Sequence, residues 1–195
     1  MSAGVAVGAD VKGGELGRLV EELCAVTSDA RKVFGGLSAG QLNWKPSAEQ
    51  WSVGQCFEHL IKTNESFLPA LEFVGRGEYQ STLWQRVSPL SGFFGGLVLR
   101  GLASGRKVKA SAAISPSASG VGADIIERFA AHQDGLEKLL ASSRAEELKR
   151  TIVTSPIAGF VTYSLFDACR IVVAHERRHF EQARRVTDVP GFPER

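Results

Sequence analysis

The stretch SLFDACRIVVAHERRHFEQARRVT, Ser164 to Thr187, decides the fold. Wound at ~100° per residue, Ala168, Ile171, Val172, His175, His179, Gln182 and Val186 share one stripe, the pattern of a helix lying against a core. Arg177, Glu181 and Arg184 point elsewhere. Ser164, with Asp167 three residues on, gives a capping-box-like start, and Pro190 lies beyond the end. His175 and His179 are four residues apart, so their side chains stand one above the other on the core-facing stripe. Two imidazoles turned toward an apolar interior are costly unless both are satisfied. A single metal ion would satisfy both, and this is the spacing by which a helix offers two imidazoles to one ion. The alternative is a pair bonded to polar core groups, or exposed near a bundle end.

Working outward, three more stretches carry helical periodicity. One runs from Glu15 to Leu37 through Leu16, Leu19, Val20, Leu23, Val26, Ala30, Val33 and Phe34, with Gly35 and Gly36 offering a stop. A second starts at Ser52, whose hydroxyl forms a capping box with Gln55, and continues to Val74 unless Pro69 kinks it or ends it early. A third spans Ala123 to Ser142, with Ile125, Ile126, Phe129, Leu136, Leu139 and Leu140 apolar. Between the second and third, Glu78 to Gly122 has no steady period and is rich in Ser, Gly and Pro. It reads as an extended crossover with short helical pieces near Phe93 to Leu102; loops this long are usually functional or disordered. Thr151 to Thr154 and Phe160 to Tyr163 are the only segments that read as extended. The expectation is an all-α four-helix bundle with a long crossover between helices 2 and 3.

The chain has 195 residues, 44% of them hydrophobic, enough for one domain with a proper core. Residues 15–188 form that domain, and residues 1–14, rich in Gly and small side chains, read as a flexible N-terminal tail. With 23 basic and 21 acidic residues the net charge is +2, which argues against nucleic acid as the main partner. The N-terminus lacks the basic and apolar regions of a signal peptide. The most apolar run, Phe93 to Leu102, has about half the length needed to cross a bilayer, so no membrane partner and a cytoplasmic location are expected. Cys24, Cys56 and Cys169 are odd in number and widely spaced, and read as small buried residues in a reducing compartment.

A third ligand for the histidine pair is available on the second helix. His59 shares a face with Cys56, Thr63 and Ser66, small and polar neighbours that leave room for a pocket. A lone histidine of this kind is more often structural. His132, on the same side of the third helix as Phe129 and Leu136, reads as a satisfied, half-buried histidine.

The segments Leu42-Asn43-Trp44-Lys45-Pro46, Trp51-Ser52-Val53-Gly54-Gln55 and Glu58-His59-Leu60 resemble the start of the second helix in the DinB-like (DinB/YfiT-like) superfamily, where Trp-Ser precedes a histidine. His175-Glu176-Arg177-Arg178-His179-Phe180-Glu181-Gln182 is similar to that family's H-x-x-x-H-x-x-Q motif. The resemblance implies a four-helix bundle holding a divalent transition metal through His59, His175 and His179. It also implies chemistry with a low-molecular-weight thiol cofactor, the thiol-binding residues being variable in the family.

Three imidazoles with an open fourth position make a catalytic rather than a closed structural site. A water or thiol there becomes a better nucleophile. Zn, Ni and Fe all suit such a donor set. Gln182, one turn past His179, either bonds a ligand at that position or packs near the bundle end. Cys56 is the other conceivable ligand, though a core thiol is the better reading. Three functions follow. The first is a metal-dependent thiol S-transferase or hydrolase acting on a small-molecule substrate. The second is a non-catalytic metal- or ligand-binding bundle in stress response. The third is a structural module in which Phe93, Phe94, Leu97, Val98 and Leu99 build a homodimer.

Overall fold

The computed structural model describes residues 14–88, 91–104, 114–118, 120–156 and 158–194. Apart from Gly14, the reading of 1–14 as a flexible tail lies outside the described residues. The chain is mostly helical, with one small two-stranded sheet. No helix among the described residues is long and apolar enough to cross a membrane.

Helix α1 (Glu15–Phe34) ends one turn earlier than its apolar pattern suggests, at Gly35. A short α2 (Ala39–Asn43) is set by a capping box between Ser38 and Gln41. Helix α3 (Val53–Glu65) starts from the expected box, with Ser52 Oγ accepting from the Gln55 N–H and the Gln55 side chain accepting from the Ser52 N–H. The run to Val74 is not one helix. It stops at Ser66 and resumes as α4 (Leu68–Gly75), with Pro69 in the first turn, where its missing N–H is harmless.

The crossover is more ordered than its composition suggests. It carries α5 (Leu83–Val87), boxed by Thr82 and Gln85, and α6 (Ser91–Ala103). Gly95 lets α6 sit on the helix that follows the sheet, because a Cβ there would lie 2.6 Å from Asp167 Oδ2. Helix α7 (Ile125–Ser142) and a short α8 (Ala145–Arg150) lead to β1 (Ile152–Thr154) and β2 (Thr162–Ser164), antiparallel with Val153 opposite Tyr163. Helix α9 (Leu165–Thr187) starts from Ser164, whose Oγ accepts from the Asp167 N–H. The Asp167 side chain does not complete a full box; its Oδ2 accepts from the Ser164 hydroxyl instead.

Helices α1 and α3 each pack against both α7 and α9. Their shared interior holds two apolar clusters. One gathers Leu16, Leu19 and Leu23 of α1, Leu71 and Val74 of α4, Leu136 and Leu140 of α7, and Leu165 to Val173 of α9. The other gathers Val26, Ala30 and Phe34, then Val53, Phe57 and Leu60, then Ile125, Ile126 and Phe129, then Ala183 and Val186. In each long helix the two sets are separated along the chain. The gap holds Asn64 on α3, Gln133 on α7 and Glu176 on α9, all buried. A polar layer thus divides the core, and His175 and His179 flank it on α9.

Candidate metal centre

His59 stands on the middle turn of α3, whose N-terminus the Ser52 cap fixes, and His175 and His179 on facing turns of α9. The structure brings all three together, each offering a ring nitrogen within 4.8 Å of the others'. The ring centroids are 4.5 to 4.9 Å apart. His59 and His179 are buried and His175 is half-buried, with its Nδ1 sealed from solvent.

The hydrogen bonds assign the tautomer of His59. Its Nδ1 lies 2.6 Å from the Ile114 carbonyl, an acceptor, so Nδ1 carries the proton and Nε2 a lone pair. That Nε2 is 3.2 Å from Nε2 of His175. In the absence of an ion the His175 N–H can donate across this gap. Two nitrogens each about 2.0–2.1 Å from one metal and ~3.2 Å apart would subtend roughly 100°, near the tetrahedral value. Nδ1 of His175 and Nδ1 of His179 have no hydrogen-bond partner among the described residues. Buried polar atoms of that kind are rare. Each ring offers one nitrogen to an ion, and at His179 the unpartnered Nδ1 is free to be that atom.

Electrostatics favour the ligating form. Burial, reinforced by the neighbouring histidine, depresses the His175 pKa to about 3. Burial and the other two rings depress that of His179 to about 2, with only a hydrogen bond to the Gln182 side chain opposing. Burial also lowers that of His59, partly offset by its bond to Ile114. All three are neutral near pH 7, as metal binding requires. The donor set and its unsatisfied nitrogens therefore fit a divalent transition metal.

Trp51, just before the α3 cap, covers the cluster. Its ring lies stacked against His179 at 5.6 Å and 23°, and 4.9 Å from His59. Gln182 stands beside His179. Thr63 turns its hydroxyl back to the His59 carbonyl at 2.8 Å, bracing that turn of α3. Ser66 donates to the Thr63 carbonyl and lines a cavity of about 590 Å³ with Phe67, Pro69, Tyr79 and Thr154. None of the three histidines lines that cavity.

Cys56 is fully buried among Phe57, Leu60 and Phe129 and is not part of the histidine cluster. Burial pushes its thiol up to about 12, far from the thiolate a ligand needs. Cys169 is buried likewise, but Cys24 is exposed, against the expectation for all three. It falls on the outer side of α1, beside Glu137. His132 is half-buried as expected, yet its Nε2 finds no partner among the described residues.

Glu176 is the residue that the sequence reading passed over. His175-Glu176-Arg177-Arg178-His179 has the H-E-x-x-H spelling in which the Glu serves a helix-borne zinc as general base. Here the carboxylate is spent elsewhere. Its Oε1 accepts from Asn64 Nδ2 at 2.6 Å and its Oε2 from Gln133 Nε2 at 2.8 Å. Burial outweighs both bonds and raises its pKa to about 8. The signal was present, since Glu176 falls on the same arc as Cys169, Val172 and Ala183, where a carboxylate has no place without partners. The Ile114 carbonyl could not be found from the sequence, because no periodicity fixes which crossover backbone meets α3.

A mostly helical chain whose long helices converge three histidines defines a helical protein with a candidate metal site. A family model of the DinB superfamily matches residues 22–183, and the chain belongs to that superfamily. Neither the curated proteins nor the solved structures give a match.

Proposed function

We propose that this protein is a metal-dependent enzyme of the DinB superfamily that joins a thiol or water to a small electrophile. In this reading α1, α3 with α4, α7 and α9 form a four-helix bundle, and residues 15–188 are its single domain. His59, His175 and His179 are the metal ligands. The observation that carries it is the set of three neutral, converging imidazoles, two of which keep a buried nitrogen without a partner.

A divalent ion held there would act as a Lewis acid and lower the pKa of a thiol or water at its open position. The chain's own residues supply the rest. Trp51 shields one side of the cluster and excludes water from it. Ile114 holds the proton on His59 Nδ1, which keeps Nε2 free. Gln182 is placed to bond a group beside His179. No carboxylate joins the cluster among the described residues, which suits chemistry needing no separate general base. The exposed Phe93 and Leu97 of α6 support a homodimer, and a cytoplasmic location remains the setting proposed for this chemistry.

The test is a thiol-consumption assay of zinc-, nickel- and iron-loaded protein, pairing cellular low-molecular-weight thiols with a panel of small electrophiles. Metal-dependent thiol loss that vanishes in His179→Ala supports the reading. Tight metal binding with no turnover across the panel would leave the non-catalytic metal-binding bundle as the better account.

A further inference from the structure

Residues 114–117 of the crossover are clamped along one face of α3. Gln55, Glu58, His59 and Lys62 follow the i, i+3, i+4, i+7 spacing that lines up side chains on a single stripe. Each reaches the backbone or a side chain of residues 114–117. Gln55 Nε2 donates to the Ser117 carbonyl at 2.7 Å. Glu58 accepts twice from Ser117, from its N–H at 2.6 Å and from its hydroxyl at 2.7 Å. Lys62 Nζ donates to the Ser115 carbonyl at 3.1 Å and pairs with Glu58 at 3.2 Å. His59 Nδ1 donates to the Ile114 carbonyl at 2.6 Å, and the Ile114 side chain is buried.

The four contacts are unequal. Three tie the segment down and the fourth is a ring that the segment holds. Glu58 is the principal anchor, because it takes two charge-assisted hydrogen bonds from one residue, stronger than neutral ones. Rigidity of 114–117 then becomes rigidity of the Ile114 carbonyl. That carbonyl decides which nitrogen of His59 bears the proton. Were it to move away, neutral His59 could carry its proton on Nε2, the atom that faces His175.

We propose that Glu58 and Ser117 are positioning residues for His59: by fastening residues 114–117 to α3 they keep the Ile114 carbonyl on Nδ1 and so present Nε2, unprotonated, to the histidine cluster. The proposal rests on the metal-site reading for its consequence, but the hold on His59 is a property of the protein alone. Partners of this kind beyond the ligands typically alter metal affinity by 10–100-fold.

Two readouts on the full chain separate the parts. Long-range ¹H–¹⁵N spectra of the metal-free protein report the His59 tautomer directly. Competition for zinc against a chromophoric chelator reports affinity. The wild type should show His59 as the Nδ1–H tautomer. Glu58→Ala should populate both tautomers, speed amide exchange at Ser117 and weaken zinc binding about tenfold. Glu58→Gln, which retains an oxygen acceptor for Ser117, should restore the single tautomer and most of the affinity. Ser117→Ala, losing one of the two bonds, should fall between and needs no buried side chain to be removed. A single Nδ1–H tautomer with wild-type zinc affinity in both Glu58→Ala and Ser117→Ala overturns the proposal; should Glu58→Ala not fold, that result in Ser117→Ala alone does so. A wild type that takes up no zinc overturns the metal reading instead, and the tautomer spectra still decide whether Glu58 and Ser117 position His59.

Discussion

Glu176 and His175 are consecutive residues of α9, yet their hydrogen-bond balances are opposite. Both oxygens of Glu176 are engaged, by Asn64 and Gln133, in a layer that ties α3, α7 and α9 together between two apolar clusters. His175 and His179 have buried nitrogens with no partner, and the cluster they form with His59 is held from outside by Ile114. The Glu176 carboxylate is satisfied by the protein itself. Open nitrogens on two converging rings, unlike the single open atoms of Asn64 and His132, fit a shared bound ion. The same helix thus carries a structural polar site and a ligand-type polar site side by side, and the H-E-x-x-H spelling mixes the two.

The sharpest way to break this comparison is to remove the two groups separately and measure unfolding of the metal-free protein in urea. Glu176→Ala leaves the Asn64 and Gln133 amides buried without acceptors and opens a gap, and should destabilise by about 3 kcal/mol. Glu176→Gln should be far milder. His175→Ala and His179→Ala should change metal-free stability by less than about 1 kcal/mol, since each removes unsatisfied atoms along with packing.

Zinc should reverse the ranking. At a free concentration a hundred times the dissociation constant, binding to the folded state alone adds about 2.7 kcal/mol. That gain should appear in wild type and in Glu176→Gln, and disappear in both histidine variants. A gain that survives His179→Ala would dissolve the distinction between the two sites.

The two sites also respond to pH in opposite senses. The depressed pKa values of His175 and His179, about 3 and about 2, mean that the unfolded chain binds more protons below its own value of about 6.5. Stability of the metal-free protein is therefore lost as pH falls below that point. The raised pKa of Glu176, about 8, means that the folded chain holds the extra proton, so stability is lost as pH rises toward 8. Metal-free protein should be most stable near pH 6.5, falling above it by up to ~1.4 kcal/mol per pH unit. Glu176→Gln should flatten the alkaline side and steepen the acid side between about pH 4.5 and 6.5, where the carboxyl partly offsets the histidines.

The smallest effect expected is at Cys56. Cys56→Ala trims a buried thiol in the apolar cluster and should reduce stability by about 1 kcal/mol with zinc stoichiometry unchanged. Loss of zinc there would return Cys56 to the ligand set.

How much of this was legible in the sequence varied with how local the cause was. The start of α9 at Ser164, the cap of α3 and the placing of His175 and His179 on one inward stripe all follow from spacing within a single helix. His59 could be joined to them only through family resemblance, because contact between α3 and α9 is a tertiary fact. The break at Ser66 was foreshadowed by Pro69, and the end of α1 by Gly35 and Gly36, although the apolar pattern runs on to Leu37. Helix α6 was legible as a short helical piece near Phe93 to Leu102 despite its glycines, and packing on β2 and α9 stabilises it. The five-residue α5 was too short to show a period, and its contacts are with β1. Glu176 was readable in principle as a carboxylate on an apolar arc, but its partners Asn64 and Gln133 lie on other helices.

The central claim is that His59, His175 and His179 are the ligands of one metal ion. Its most direct test is the metal content of untagged protein after equilibration with zinc and removal of the unbound ion, for wild type, His175→Ala and Glu176→Gln side by side. The account predicts one zinc per chain in wild type and in Glu176→Gln, and almost none in His175→Ala. Equal zinc in wild type and His175→Ala, or none in wild type, would contradict it.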